Sequence, residues 1–288
     1  MHTTKHYLIS LLILLFSSSA LAANWGYSGQ NTHYPPEKWS HLKGASLCSK
    51  GKQQSPINIA SSEVAASGFM LKKEYGGNYV EISNNGHAVI AKAGRYIEIE
   101  EPSEDGGDST SHRYKLAQFH FHTLSEHTVS LSPLDTPKHY DMELHLVHIS
   151  EQGRLAVLGI FIEEGDYNET LGGLFENLPK SPAHDTDKHG KKAHGKDNKG
   201  ENKTIAQLSA NYENLLPTES DLFVYQGSLT TPPCSEGVQW MVFVEPIQMS
   251  RQQIQSYRAL YSDNGVPYHT NRPVQQLNHR LIRFGSSD

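Results

Sequence analysis

The chain has 288 residues, of which 36% are hydrophobic, enough for one substantial core or two small ones. Its formal net charge of −6 is mildly acidic, which argues against nucleic acid as a partner. Histidine is the unusual component, with 17 residues against 3 tryptophans and 5 methionines, so spacing has to decide which imidazoles can act as ligands.

The N-terminus reads as a secretory signal. Lys5 and His6 give a weakly positive start, the run from Tyr7 to Phe16 is almost wholly apolar, and Ala20-Leu21-Ala22 forms an A-x-A cleavage pattern. Residues 1–22 are therefore expected to be removed and residues 23–288 to form one domain. The alternative, an uncleaved anchor, is disfavoured because a spanning helix needs roughly 20 apolar residues. No other stretch could cross a bilayer, so the mature chain is expected in the periplasm or secreted, without membrane association. Its two cysteines, Cys48 and Cys234, suggest one disulfide in an exported chain, with two free buried thiols as the alternative.

Short alternating segments follow. Tyr79–Ser83, Ala88–Lys92 and Tyr96–Glu100 are predicted strands, punctuated by Gly86, Gly94 and the Gly106-Gly107 pair. Lys115–His122 and Met142–His148 also alternate, while Val157–Ile162 and Val238–Val244 are continuous apolar runs suited to buried strands. Helix signals are few. Leu171–Leu178 is one candidate, and Ser250 followed by Gln253 is a capping-box pattern leading into Ile254, Tyr257 and Tyr261 at helical spacing. Between them, Lys180–Lys203 has almost no apolar residue and carries His184, His189 and His194 among Lys, Asp and Gly. It reads as a flexible surface insertion, a solvated polar loop before a metal-binding one.

The chemistry concentrates in two strands. In Gln118-Phe119-His120-Phe121-His122 the two histidines share one strand face and the phenylalanines the other. In Glu143-Leu144-His145-Leu146-Val147-His148, Glu143 and His145 share a face, and His148 points away and is left out of the ligand set. If the strands are neighbours, His120, His122 and His145 form a three-imidazole set with an open fourth position, the pattern of a catalytic zinc site. Gln118 and Glu143 are placed to accept the other ring N–H of His120 and His145.

Several stretches, taken in order, resemble the alpha-class carbonic anhydrases over nearly the whole mature chain. They are Trp25-Gly26-Tyr27, Gln54–Ile59, Asn84-Asn85-Gly86-His87, the FHFH segment, Ser125–Val129, the ELHLVH segment, Ser228–Val238 and Asn271–Gln275. The resemblance implies a mainly β domain with a large, mostly antiparallel central sheet and short peripheral helices. It implies zinc on His120, His122 and His145, and reversible hydration of CO2 to bicarbonate by attack of zinc-bound hydroxide. Thr230 would accept a hydrogen bond from that hydroxide and pass its own hydrogen to Glu126, and His87 would shuttle the proton. Val147, Val157, Leu229, Thr230, Thr231, Val238 and Trp240 would form the substrate pocket. The pair Cys48 and Cys234 resembles the exported members, and the assembly would be a monomer or homodimer.

The chain departs from the family where Thr123-Leu124 replaces a Trp-Gly after the second zinc histidine, and in the length and basic character of the 180–203 loop. A competing reading, a binding module without metal, is weaker because the three histidines, Glu126 and Thr230 are all present, and a zinc-buffering role for the His-rich loop would be a side role that does not exclude catalysis.

Overall fold

Period-two alternation folds as strand because successive side chains of an extended chain point to opposite sides, and one apolar side suffices to bury it. The computed structural model describes residues 25–287 apart from 31, 33, 75–79, 86, 93–95, 102–109, 180–201, 206–214, 218–219 and 264. Its first strands are β1 (Asn58–Ala60), β2 (Val64–Glu74), β3 (Val80–Asn84), β4 (Val89–Lys92), β5 (Tyr96–Glu101) and β6 (Thr110–Thr123). There follow β7 (Thr128–Ser130), β8 (Met142–Ser150), β9 (Leu155–Glu164), β10 (Asn202–Ile205) and β11 (Ser220–Ser228). The last are β12 (Glu236–Phe243), β13 (Ile247–Met249), β14 (Ser262–Asp263), β15 (Val266–Pro267) and β16 (Ile282–Ser287).

A 12-stranded sheet dominates, and it is antiparallel except where β9 pairs with β12 and β13 and where β2 pairs with β16. The helices are short: α1 (Leu47–Lys50), α2 (Glu169–Glu176) and α3 (Arg251–Arg258). This is the mainly β architecture the sequence led us to expect. The capping box at α3 forms as read, with Ser250 Oγ accepting the Gln253 N–H and Gln253 Oε1 accepting the Ser250 N–H. Ile254, Tyr257 and Tyr261 then pack into the main core.

Element ends shift by a few residues, as where α2 spans Glu169–Glu176 rather than Leu171–Leu178, and one shift has a physical cause. Asn202 and Lys203, taken as the end of the polar insertion, belong to β10, which pairs with β3 at the sheet edge. Backbone hydrogen bonds alone can recruit a polar edge strand, so hydrophobicity does not mark it. Residues 180–201, and residues 1–22, expected to be a signal, lie outside the described residues.

The site depends on β6, β8 and β9. His120 stands opposite His145 on β8, and His145 stands opposite Gly159 on β9. Phe119, Phe121, Leu144, Leu146, Leu158 and Ile160 face one core, while Val157, Phe161, Trp240 and Val242 build the second. Burying a side chain such as Phe or Leu contributes about 1.5–3 kcal/mol. A one-residue slip of β6 would turn Phe119 and Phe121 out of that core together, so packing on one face fixes the histidines on the other.

His148 points away from His145, as its place in the alternation requires, and is fully buried opposite Leu116 and Ala156. Burial lowers its pKa from 6.5 to about 3, against hydrogen bonds to the Leu146 and Ala156 backbone that favour the charged form. An unfolded-state imidazole takes up its proton near pH ~6.5, so below that pH the unfolded chain binds the extra proton and stability falls by up to about 1.4 kcal/mol per pH unit. His148→Gln keeps a donor for the backbone without the titration. Urea unfolding between pH 7 and 5 is expected to show a shallower acid loss for the variant than for the parent, and equal slopes would mean that His148 protonates normally in the fold.

Candidate metal centre

The candidate ligand nitrogens of His120, His122 and His145 all lie within 4.8 Å of one another. The other nitrogen of each ring is already committed. His120 Nδ1–H donates to Gln118 Oε1 at 2.9 Å, His122 Nδ1–H to the Thr270 carbonyl at 2.5 Å, and His145 Nε2–H to Glu143 Oε1 at 2.9 Å. These bonds leave Nε2 of His120 and His122 and Nδ1 of His145 as lone-pair donors. His122 Nε2 is buried with no hydrogen-bond partner. Burial keeps all three rings neutral: it lowers the His120 pKa well below the usual value, His122 to about 4, and His145 as well. A buried polar atom without a partner is costly. Such a nitrogen on His122, beside the neutral rings of His120 and His145 within ligand distance, therefore fits a shared cation.

Glu143 organises the surroundings. Its Oε1 accepts from His145 and from His127 Nδ1 at 2.7 Å, and its Oε2 accepts the backbone N–H groups of Glu126 and His127, each at 2.8 Å. Burial opposes its charge, but His127 and His145 outweigh burial and hold the carboxyl well below the usual carboxylate range. His127 Nε2 accepts from the Tyr225 hydroxyl at 2.7 Å, and that hydroxyl meets Ser55 Oγ at 2.8 Å. Gly159 makes room for the carboxylate, since a Cβ there would stand 3.0 Å from Glu143 Oε1.

Glu126 is completely buried beside this network. Burial raises its pKa to about 7, although His145, the Thr230 hydroxyl and the Arg272 backbone N–H, which donates to Oε1 at 2.7 Å, all pull it down. Arg272 is itself buried and donates to the carbonyls of Ser55 at 2.7 Å and Cys48 at 2.9 Å. Thr230 sits in a tight loop closed by Leu229 N–H to Ser235 O and Cys234 N–H to Thr231 O, both at 2.9 Å. Cys234 ties that loop by a disulfide to Cys48 in α1, across a sequence separation of 186.

The histidines border a cavity of about 160 Å³. Val147, Val157, Leu229, Thr230, Thr231 and Trp240 line it, and so does His87, whose ring stacks on Trp25 with centroids 3.8 Å apart and planes at 7°. Val238 does not line it. The valine shares a strand face with Trp240, but only the larger indole reaches the cavity, and Val238 is fully buried in the core behind. Sequence reading missed Ile90, paired opposite His120, and the supporting groups Thr270, Arg272, His127, Tyr225 and Ser55. Ser55, His127 and Arg272 lie within the family-like stretches but no periodicity singles them out, and Thr270 and Tyr225 reach the site from segments remote in sequence.

A strand-borne cluster of three neutral imidazoles at the edge of a largely apolar cavity defines the chain as a candidate metalloenzyme built on a mainly β fold. The comparisons carry this further. The profile of the eukaryotic-type carbonic anhydrase family matches residues 34–286. A carbonic anhydrase of Nostoc sp. is 35% identical over 270 residues, covering 91% of this chain and 86% of that protein. One from Neisseria gonorrhoeae is 32% identical over 285 residues, covering 96% and 95%. Among solved structures, a hyperthermostable carbonic anhydrase from a hydrothermal vent chimney superposes with a TM-score of 0.70 at 34% identity, covering 92% of this chain and 100% of that one. The alpha-carbonic anhydrase of Thermovibrio ammonificans, solved with the inhibitor sulfanilamide, gives 0.65 at 36% identity, covering 90% and 98%. The chain belongs to the alpha carbonic anhydrase family, and it is a lyase acting on CO2 and bicarbonate.

Because the Cys48–Cys234 link closes so long a loop, its reduction is expected to destabilise the protein by up to about 5 kcal/mol in the chain-entropy description. Urea unfolding with and without reductant, with thiols counted at each step, tests this. An unchanged midpoint after complete reduction would remove the link from the list of stabilising features.

Proposed function

We propose that this carbonic anhydrase holds a zinc ion on His120, His122 and His145, and that Thr230, Glu126 and His87 manage the hydrogen bonds and protons beside it. The observation that carries this reading is the buried, unpartnered Nε2 of His122, facing two more neutral imidazoles whose remaining nitrogens are occupied. Zinc suits such a set, since its catalytic sites combine three protein ligands with one open position. Bound there, it would act as a Lewis acid that makes water nucleophilic near neutral pH, chemistry for which carbonic anhydrases are themselves a standard example.

The protein groups divide the remaining tasks. In this reading the Thr230 hydroxyl, whose neighbourhood favours the charged Glu126 carboxyl, directs its hydrogen to Glu126 and so leaves the threonine oxygen as an acceptor toward the cavity. A reacting water that donates to this oxygen turns a lone pair toward the carbon of CO2. Val147, Val157, Leu229 and Trp240 offer that small apolar molecule an apolar wall, from which the charged product gains nothing. Thr231 and the Thr230 backbone N–H supply the polar rim. His87 lines the same cavity, and an imidazole with a pKa near ~6.5 both takes and releases protons around neutrality.

We also propose that residues 1–22 are a leader and that the mature domain, 23–288, works in the periplasm or outside the cell. The joined cysteine pair supports this, because disulfides persist in oxidising compartments.

Stopped-flow CO2 hydration paired with metal analysis tests the ligand assignment. A chelator is expected to abolish activity and added zinc to restore it. His145→Ala is expected to lose both metal and rate, whereas Thr230→Ala keeps its zinc and loses on the order of 10²-fold in rate, the usual effect of deleting one orienting hydrogen bond. Full activity in metal-free His145→Ala would overturn the reading. For His87→Ala, kcat is expected to drop in weak buffer with kcat/KM nearly unchanged, and an imidazole buffer should restore kcat. A parallel fall in both parameters would make His87 structural.

A further inference from the structure

His122 differs from the other two candidate ligands in what holds its second nitrogen. Gln118 and Glu143 are side chains on the same strands as the histidines they hold, whereas the His122 Nδ1–H donates to a backbone carbonyl, that of Thr270. A carbonyl is only as well placed as the chain that carries it. Thr270 lies between β15 and β16, outside any helix or strand, so no sheet ladder fixes it.

Thr123 supplies the fixing. It is the residue after His122 and the last of β6. The Thr123 N–H donates to Thr270 Oγ1 at 2.9 Å, and the Thr270 N–H donates to Thr123 Oγ1 at 2.8 Å. The two hydroxyl oxygens are 3.4 Å apart, and both residues are fully buried. Each side chain thus accepts the other residue's backbone N–H, a reciprocal exchange that stands in for a strand pairing where the 268–274 segment has none. The same short segment sends the Arg272 N–H to Glu126, so its placement reaches both sides of the site.

We propose that Thr123 and Thr270 form a clamp that positions the Thr270 carbonyl and, through it, the tautomer and tilt of His122. They are positioning residues for the metal, and the inference rests on the zinc reading above. Outer hydrogen-bond partners of metal-bound histidines tune affinity in this way. The hydroxyl is the essential part: valine matches threonine in shape yet accepts no hydrogen bond, while serine keeps the acceptor.

The test is equilibrium competition for zinc between a chromogenic chelator and the full-length protein, with the visible spectrum of the cobalt-loaded protein as a second readout. Thr123→Val is expected to bind zinc about 10- to 100-fold more weakly than the parent, the range found for lost outer partners. Its cobalt spectrum should change, and Thr123→Ser should keep the parent affinity and spectrum. Thr270→Val should match Thr123→Val, and the double variant should lose no more than either alone. A purely structural role would lower the unfolding midpoint of the metal-free protein without moving either metal readout. Parent affinity and spectrum in Thr123→Val would overturn the clamp; if that variant does not fold, Thr123→Ala is judged by the same criteria. His122→Ala in the same assay separates the two ideas. If it binds zinc as tightly as the parent, the zinc reading falls; if it loses zinc while Thr123→Val does not, only the clamp falls.

Discussion

Glu143 carries a negative charge at a place where water has no access, and an isolated carboxylate there would cost several kcal/mol. Four N–H donors answer that charge: two imidazoles and two consecutive backbone amides. Meeting the requirement constrains much of the surrounding structure. β6 must run beside β8 to bring His145 opposite His120, and β9 must present Gly159 to leave space for the carboxylate. The chain leaving β6 must also turn so that the amides of Glu126 and His127 point inward. Leu124 makes that turn with φ of 62°, in the left-handed region that branched and bulky residues rarely enter. The strain accepted at Leu124 is balanced by the hydrogen bonds it permits.

The same arrangement separates charged from neutral groups. His127 and His145 surround Glu143 and stabilise its charge, while burial keeps His120, His122 and His145 unprotonated. An imidazole can serve as a ligand only in its neutral form, so the burial that would make a free histidine expensive is what prepares the set. The opposite wall of the cavity is not a separate device: Val157 and Trp240 belong to the second core, and their position is fixed by sheet packing. A rigid core face lends its rigidity to the cavity wall.

Long-range ties complete the frame. Arg272 reaches the backbone at Ser55 and Cys48, Cys48 is bonded to Cys234, and Cys234 closes the loop that bears Thr230. Thr230 and Glu126, adjacent in the site, are thus held from two directions by groups near the start and end of the chain. Closing such long loops costs chain entropy in folding, and a cross-link that survives in an oxidising compartment offsets part of it.

The sequence by itself determined the strand character, the shared faces of His120 with His122 and of Glu143 with His145, the turning away of His148, and the capping box at Ser250. All of these follow from periodicities of two and 3.6 residues, which act locally. Family resemblance added Glu126, Thr230 and His87, which no periodicity marks. Tertiary structure alone decided the register that sets His120 against His145, the exclusion of Val238 from the cavity, and the capture of Asn202 and Lys203 by the sheet edge. It alone also brought Thr270, Arg272, Tyr225 and Ser55 to the site. Their contributions are backbone carbonyls, amides and single hydroxyls. Every residue of a chain offers such groups, so which of them serve the site is determined only by where folding leaves them.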